Sequence, residues 1–357
     1  MVIIEKYTQF ETFSDEYHSS DWVFLHFIGS KNKHPLNDYP LMLYVRTSND
    51  NEYILSFAHD EAAELTLDAL TYLDNDKPKY VADIKAVCHF TNFRNVIDLQ
   101  QAEFQEHGNL IDNQVFLTTS HRFFYSKGMN NYVVPLMKHL ECCQDLFTNY
   151  KENIGVEYND FYRDANKVFA EVERAGLYVN PLKVPRGQSD NISKDYLMFT
   201  NYNVLTSTGR PSNTYDGLNF AALNKNDGSR KMIESRYDEL IEFDFDAYHV
   251  RLIGKIIGYD FGTESVHEHF SKLYNVSYEE SKSMTFKYLY GGVPDDIAKN
   301  HEFFGKVKDF YTKLWSRFNR DKVFLTDIYK RRITLDVKEF YPSKLFNYMI
   351  QSLETER

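Results

Sequence analysis

The chain has 357 residues, of which 43% are hydrophobic and 26% charged, a composition typical of a soluble globular protein with two or three domains. Its formal net charge of −11 has the wrong sign for a protein that simply coats DNA. The charge is uneven, because residues 1–160 contain twice as many acidic as basic side chains whereas the remainder is nearly balanced. A nucleic-acid surface is therefore expected in the second part of the chain.

Cysteine usage argues against a protein held together by zinc or disulfides, and hydropathy argues against a secreted or membrane protein. Cys88, Cys142 and Cys143 form neither a CxxC spacing nor a disulfide framework, so we expect no structural zinc site. The sequence begins without a signal-peptide pattern, and no apolar run approaches the length of a membrane span. These features predict a cytoplasmic protein with reduced thiols and no membrane partner.

Residues 1–160 are predicted to form a domain that mixes strands and helices. Short apolar runs rich in aromatic and β-branched residues indicate buried strands, and longer stretches indicate helices. The predicted strands are 22–28, 41–45 and 53–57, and the predicted helices are 61–72 and 132–150.

A helix over 158–175 is expected to follow, and it stops at Gly176. Residues 180–200 then have the proline, glycine and asparagine content of a linker. Farther along, polar loops alternate with strong strand and helix signals. The segment 241–246 predicts a strand, and the predicted helices are 278–290 and 342–355.

Lys282, Phe286 and Tyr290 share one face of the predicted helix, since they lie at positions i, i+4 and i+8. They offer a cation for a phosphate, an aromatic plate for a base or sugar, and a second ring beside the turn at Gly291. A helix that binds a nucleoside triphosphate needs such a set. Taken alone, the same stripe is also typical of a packed helix with a solvated lysine.

Three other segments are ambiguous when each is taken alone. Arg210 lies on a turn bracketed by glycine and proline, as in many solvated loops. Asp244 ends the predicted strand, where a carboxylate and a backbone carbonyl can bind Mg²⁺, but it also fits an exposed acidic strand end. Asn347 and Gln351 share a helix face and can donate to minor-groove acceptors, or simply belong to an amphipathic helix.

In this order, the four segments resemble the polymerase domain of family A DNA polymerases, the group of bacterial DNA polymerase I and many phage replicases. The resemblance covers residues 206–357. The matching segments are 208–212 with 218–219, 242–252, 266–267, 282–291 and 347–351.

The resemblance implies an α/β (α+β) fold in three parts. Residues 1–160 look like a degenerate, RNase H-like 3′-5′ exonuclease domain. Residues 161–205 would be a helix and linker in place of the thumb, and 206–357 a partial palm with helical fingers.

The resemblance also implies two-metal transfer of a nucleotide from a dNTP to a primer 3′-hydroxyl. Asp244 would bind both Mg²⁺ ions, with the Phe245 carbonyl as an additional ligand. Lys282 would contact the phosphates and protonate the leaving pyrophosphate. The residues implied to bind the dNTP are His267, Phe286, Tyr290, Gly291, His249 and Arg230, and those implied to bind primer-template DNA are Arg210, Asn347, Gln351 and Lys344.

The sequence departs from the family at its last motif, a His–Asp pair on a hairpin that supplies the second metal-binding carboxylate. We find no counterpart before Arg357, and one carboxylate leaves two dications under-ligated. The stretch between Gly176 and Thr208 is too short for the long helices of a thumb. We therefore expect a second polypeptide, or a further C-terminal portion, to complete the palm and thumb.

Two single positions also depart from the family. Tyr278 stands where the family has an arginine, so triphosphate binding is expected to depend on Lys282 and another cation, Lys231 or Arg230. His249 stands where a glutamate screens the 2′ side of the sugar, so discrimination against ribonucleotides is expected to differ.

Residues 1–160 are not expected to proofread. The strand 23–28 lacks the Asp-x-Glu of active exonucleases, and no Tyr-x3-Asp occurs in 120–150. Asp83 and Asp98 could be remnants of the second carboxylate motif. A two-metal nuclease cannot function with such a set, so a structural or partner-binding role is expected.

Two alternative functions remain open. A single-subunit RNA polymerase shares the aspartate strand and the lysine helix but usually has methionine at the position of Phe286. A catalytically inactive, polymerase-shaped interaction subunit of a replisome would explain the missing carboxylate. A viral gene is a reasonable expectation, in which case the protein would act in the cytoplasm of a bacterial host.

Two short clusters carry less weight. His267 and His269 lie at i and i+2 and point to different faces of a helix, so a metal pair is not expected. The basic run 330–332 is expected to be either a solvated face or a DNA contact.

Overall fold

The computed structural model describes residues 1–30, 39–108, 110–111, 131–157, 161–186, 192–213, 219–224, 226–333 and 341–357. The described chain divides into two compact units. The first consists of Met1–Val204 with Ser212–Arg236, and the second consists of Leu205–Pro211 with Tyr237–Arg357.

The first unit is built on a six-stranded mixed sheet flanked by helices. Its strands are β1 Val2–Ile4, β2 Val23–Gly29, β3 Pro40–Thr47, β4 Glu52–Ser56, β5 Lys79–Val81 and β6 Val96–Asp98, followed by the two-residue strands β7 Leu177–Tyr178, β8 Leu197–Met198, β9 Tyr202–Asn203 and β10 Ser212–Asn213. Its helices are α1 Tyr7–Ser19, α2 Ile84–Cys88, α3 Leu99–His107, α4 Leu136–Tyr150 and α5 Phe161–Ala175.

The sheet has the strand order β1-β4-β3-β2-β5-β6. The three central strands β4, β3 and β2 pair antiparallel, whereas β1, β5 and β6 join in parallel. Successive residues of β2 face opposite cores, with Phe24 on one side and Leu25 on the other. Because both faces are covered, the strands are continuous apolar runs rather than alternating ones.

Helices cover both faces of this sheet. Phe13 and Tyr17 of α1 belong to one core, together with Ala170 of α5. Leu140 and Phe147 of α4 belong to the core on the opposite face. Residues 161–175 are therefore packed into the first unit.

The predicted strands at 22–28, 41–45 and 53–57 correspond to β2, β3 and β4, and the predicted helix at 132–150 contains α4. The helix predicted over 61–72 is wrong, because only Leu67–Leu73 forms a helix, of the tighter 3₁₀ type. The preceding residues bond elsewhere, since the Leu65 N–H donates to the Ser56 carbonyl of β4 at 2.7 Å. Tertiary bonding overrode the local helix propensity there.

The second unit is mostly helical. Its helices are α6 Tyr248–Ile257, α7 Val266–Tyr274, α8 Tyr278–Gly291, α9 Asp295–Asn300, α10 Glu302–Asp321 and α11 Pro342–Thr355, with a short hairpin of β11 Phe324–Leu325 and β12 Arg332–Ile333. The core is rich in aromatic side chains, among them Phe270, Phe303, Phe304 and Phe346. Within the described ranges, no helix combines the length and apolar character needed to cross a bilayer.

The strand predicted over 241–246 is wrong. This segment has no regular secondary structure, and in the described part of the chain no strand pairs with it. Its apolar side chains are exposed, with Ile241 at 78% and Phe243 at 89%. Alternation of apolar and acidic residues fits a strand, but a strand forms only where a neighbouring strand supplies hydrogen bonds.

Candidate functional site

A cleft of about 710 Å³ lies within the second unit. Its walls come from the 205–211 loop, the 244–247 segment and the helices α6, α7, α8 and α11. The lining residues are Arg210, Asp244, Phe245, Asp246, Ala247, Tyr248, His249, His267, Tyr278, Lys282, Phe286, Tyr290, Asn347, Gln351 and Glu354. Ten of the residues predicted from the sequence to form a site are therefore brought together.

Helix α8 presents its predicted stripe to this cleft. The helix begins with a capping box, in which the Glu280 N–H donates to Ser277 Oγ and the Ser277 N–H donates to the Glu280 carboxylate at 3.1 Å. The rings of Phe286 and Tyr290 stack at 5.8 Å between centroids with an interplanar angle of 3°. In the described part of the chain, the exposed ammonium of Lys282 makes no ion pair, so it is open to an anion.

Two aspartates of the 244–247 segment have different surroundings. The Asp244 carboxylate is exposed, and its Oδ1 accepts only the N–H of Phe245, at 2.9 Å. The Asp246 carboxylate pairs with Arg251 at 2.9 Å and accepts the Val266 N–H at 3.3 Å. Partial burial alone would raise the pKa of Asp246, but these bonds and the Arg251 charge outweigh it and lower that pKa. Asp244 is therefore the carboxylate available to a ligand.

His267 lies behind the aromatic stripe and is 3% exposed. Its ring contacts those of Tyr278 and Phe286, at centroid distances of 5.6 and 5.7 Å. Burial lowers its pKa, with the nearby Asp246 charge acting in the opposite direction. Its Nδ1 atom has no hydrogen-bond partner among the described residues, and its carbonyl accepts from Ser281 Oγ at 2.7 Å. The ring is thus a neutral wall of the cleft at pH 7.

A hydrogen-bonded network of four side chains forms part of the cleft lining. The Glu354 carboxylate accepts from Arg210 Nε at 2.6 Å and lies 2.9 Å from His249 Nε2. The Nδ1 atom of His249 bonds to the Tyr290 hydroxyl, whose pKa is raised to about 12, chiefly by burial. Bonds from His249 and Arg210 outweigh burial and lower the pKa of Glu354. This carboxylate is therefore ionised at neutral pH.

Sequence reasoning did not identify Glu354. The signal was present in the spacing, because Glu354 lies three residues after Gln351 and seven after Asn347 on the same helix. Asn347 also contacts α8, with its Nδ2 3.4 Å from the Tyr290 carbonyl, while its Oδ1 has no partner among the described residues.

The Arg210 loop is fixed to the end of α11. The Thr355 hydroxyl donates to the Thr208 carbonyl at 2.7 Å, and Gly209 adopts a φ of +78° beside it. A Cβ atom on Gly209 would lie 2.9 Å from Thr355 Oγ1. Glycine is therefore required there both by conformation and by space.

Three predicted site residues do not line this cleft. Arg230 belongs to the first unit, where its Nε donates to the Leu223 carbonyl at 3.1 Å. Lys344 lies on α11, and Gly291 is the last residue of α8, but neither is part of the lining. Leu218, part of the predicted 218–219 match, lies outside the described residues.

The basic run 330–332, expected to be either a solvated face or a DNA contact, is solvent-facing in part, because Lys330 and Arg332 are exposed whereas Arg331 is buried. Arg331 is 3% exposed, and its Nε pairs with Glu356 at 2.7 Å. Arg331 therefore does not belong to an exposed basic face.

No protein-family model and no curated protein matches the sequence. Among solved structures, the POL domain of Pol1 from M. smegmatis, in complex with DNA primer-template and dNTP, is similar. That likeness has a TM-score of 0.72 at 12% sequence identity and covers 99% of this chain and 86% of that chain. The chain has the fold of that polymerase domain. At this level of identity the likeness describes the fold, which mixes a parallel and antiparallel sheet with many helices.

The first unit has its own acidic positions, Asp83 and Asp98, and both cap helices. Asp83 accepts the Lys85 N–H at 2.9 Å, and Asp98 accepts the N–H groups of Ile84 at 2.8 Å and Gln101 at 3.0 Å. Burial, then the Asp83 charge, raise the pKa of Asp98 to about 7. In the described ranges, no three His, Cys, Asp or Glu side chains are grouped to hold a metal.

Proposed function

We propose that this chain carries out template-directed DNA synthesis, transferring a nucleotide from a dNTP to a primer 3′-hydroxyl, as a family A polymerase of phage type. The observation that carries the proposal is the meeting of Asp244, Lys282 and Phe286 in one cleft of a chain with a polymerase-domain fold. The similar POL domain is in complex with primer-template and dNTP, which supports the same partners here.

The incoming nucleotide would lie along α8. Side chains four residues apart on a helix are about 5–6 Å apart at Cβ, which matches the succession of phosphate, sugar and base. Lys282 would bind the phosphates and donate a proton to the leaving pyrophosphate. Phe286 would pack on the sugar and base, and His267 would support that ring from behind.

Asp244 and the Phe245 carbonyl would hold Mg²⁺. The fit rests on the exposed Asp244 carboxylate, which makes no ion pair in the described part of the chain, and on the carbonyl beside it in the same cleft. Mg²⁺ prefers a few protein oxygens together with water and substrate phosphates. Two such ions, when bound, would activate the 3′-hydroxyl and neutralise the charge on the phosphates.

The primer-template end would contact the opposite wall. Asn347 and Gln351 would donate to minor-groove acceptors, which every base pair presents, and Arg210 would lie beside them. Tyr290, with the turn after it, would border the template base.

Completion of the palm by another polypeptide is supported by the segment 237–245. Its apolar side chains are exposed, including Leu240 at 62% and Phe245 at 73%, immediately beside Asp244. An added hairpin would cover them, supply strand partners and bring a second carboxylate to the cleft.

The first unit would serve as a structural or partner-binding domain without proofreading, with residues 161–205 in place of a thumb. Asp83 and Asp98 already cap helices, and His26, on the strand where active exonucleases carry acids, has a pKa lowered to about 4 by burial. Neither feature suits a two-metal nuclease site.

An inactive, polymerase-shaped interaction subunit is the second candidate. The observation that favours it is the exposed 241–245 segment, which has no regular secondary structure and leaves Asp244 on an irregular backbone. The open cleft, into which Lys282 brings a side chain that makes no ion pair with any described residue, argues for the enzyme.

Primer extension tests the proposal. The chain, purified with any polypeptides that accompany it, is given a primer-template, Mg²⁺, and either dNTPs or rNTPs. We expect extension with dNTPs that is lost in Asp244→Asn. Extension with rNTPs instead would favour an RNA polymerase, and no extension by the wild type would favour the inactive subunit.

A further inference from the structure

Glu354 connects the loop that carries Arg210 to the rings of His249 and Tyr290, which also line the cleft. Its Oε2 atom accepts from Arg210 Nε at 2.6 Å and lies 2.5 Å from Arg210 Nη2 and 2.9 Å from His249 Nε2. His249 in turn bonds to the Tyr290 hydroxyl. The four side chains come from the 205–211 loop, α6, α8 and α11, so one carboxylate holds four segments together.

The network favours one tautomer of His249. Two groups compete for its Nε2 atom, since the Arg210 Nη2 donor lies 3.3 Å away and the Glu354 acceptor 2.9 Å away. An ionised carboxylate only accepts hydrogen bonds, and the shorter contact would bring two lone pairs together if Nε2 carried no proton, so the geometry favours Nε2–H donating to Glu354. In the neutral ring the Nδ1 atom then has a lone pair, and the Tyr290 hydroxyl must donate to it. Both rings are thereby fixed in orientation, since each rotation would break one bond of the chain.

The fixed rings form a corner. His249 meets Tyr290 edge to face at 5.9 Å and 83°, and Tyr290 stacks on Phe286 at 5.8 Å. Phe286 lies between this corner and Lys282 along α8. A nucleotide with its phosphates at Lys282 would therefore direct the edge of its sugar towards His249 and Tyr290.

We propose that Glu354 is a positioning residue for sugar selection: by holding His249 and Tyr290 in one arrangement, it leaves no space for a 2′-hydroxyl on the incoming nucleotide. This rests on the proposed function, because it assumes that a nucleotide occupies the cleft. Glu354 itself would not touch the nucleotide; without it the His249 ring can rotate and the corner opens.

The positioning is tested without nucleotide. The chain has 12 histidines, so ¹⁵N-histidine labelling with a His249→Gln variant identifies the His249 signals. We expect the Nε2–H tautomer in the wild type and a mixture of tautomers in Glu354→Ala. Glu354→Gln keeps an acceptor for Nε2–H and should retain the wild-type tautomer. An unchanged His249 spectrum in Glu354→Ala would overturn the positioning role.

The selectivity is tested by the affinities of Mg²⁺-dATP and Mg²⁺-ATP, which differ only in the 2′ group. We expect Glu354→Ala to reduce the wild-type preference for dATP by about tenfold, and Glu354→Gln by less. Glu268→Gln, an exposed position of α7 outside the cleft, should keep the full preference. An undiminished preference in Glu354→Ala, or none in the wild type, contradicts the inference. A wild type that binds neither nucleotide contradicts the proposed function itself.

Discussion

Arg331 and Glu356 form a buried ion pair, in which Arg331 Nε lies 2.7 Å from Glu356 Oε1 and the two side chains are 2% and 0% exposed. The second oxygen of Glu356 accepts the N–H groups of Ile328 and Tyr329, at 3.1 and 3.3 Å. The pair therefore holds the β11–β12 hairpin against the end of α11, where the Arg210 loop is also attached.

Replacing Arg331 by methionine should destabilise the second unit by about 3–5 kcal/mol, because it leaves the Glu356 charge buried without a partner. Urea unfolding can be followed for this unit alone. The chain has two tryptophans, and Trp22→Phe leaves only Trp315, which lies in the second unit. Arg332→Met, at an exposed neighbouring position, should change stability by less than about 0.5 kcal/mol. Equal effects of the two substitutions would show that the ion pair is not structurally important.

Alanine substitutions at Gly209 and Gly258 would separate two contributions to stability, that of backbone conformation and that of packing. Both have positive φ, +78° and +68°, but only a Cβ on Gly209 would meet other atoms, since the space around Gly258 is open within 4 Å. Gly258→Ala should cost about 1–2 kcal/mol from backbone conformation alone. Gly209→Ala should cost about 1–3 kcal/mol more, because the Arg210 loop must move away from Thr355. Equal urea midpoints for the Gly209→Ala and Gly258→Ala variants would contradict the predicted packing cost at Gly209.

The stability of the first unit should decrease as the pH rises, because of the raised pKa of Asp98. Its pKa is raised from 3.8 to about 7, so between these values the folded state binds a proton that the unfolded state has released. Stability from Asp98 is therefore fully present below about pH 4 and is lost as the pH rises through 7. The stability of the wild type relative to Asp98→Asn should fall by up to about 4 kcal/mol over this range.

Comparison with the non-titrating variant removes the contribution of His26, whose pKa, lowered to about 4, acts in the opposite direction. Trp315→Phe leaves Trp22 to report on this unit alone. Asp83→Asn, which keeps a helix cap but removes the charge facing Asp98, should reduce the pH dependence. A wild-type and Asp98→Asn difference that is constant with pH would contradict the raised pKa.

The sequence predicted elements whose signals are local. Helix α8 has a capping box at Ser277 and Glu280 and a glycine end, and the continuous apolar run of β2 marks a strand covered on both faces. Because i, i+4 spacing fixes which side chains share a helix face, the stripe of Lys282, Phe286 and Tyr290 followed directly.

Features that depend on distant partners could not be predicted in this way. The segment 241–246 has the alternation of a strand, but no strand of the described chain pairs with it. Arg331 looks like part of a basic surface until Glu356 is placed beside it. Glu354 is one acidic residue among 52 Asp and Glu, and only its contacts with Arg210 and His249 distinguish it.

The central claim is that Asp244 and Lys282 bind one magnesium-nucleotide complex, and a double-mutant cycle of Mg²⁺-dNTP affinity measured by calorimetry tests it most directly. Asp244→Asn and Lys282→Ala should each weaken binding by about tenfold or more, and the double variant by clearly less than the product of the two effects. Lys287→Ala, an exposed lysine of α8 outside the cleft, serves as the control and should bind as the wild type does. Binding that is independent of Mg²⁺, or unchanged in both single variants, would contradict the account.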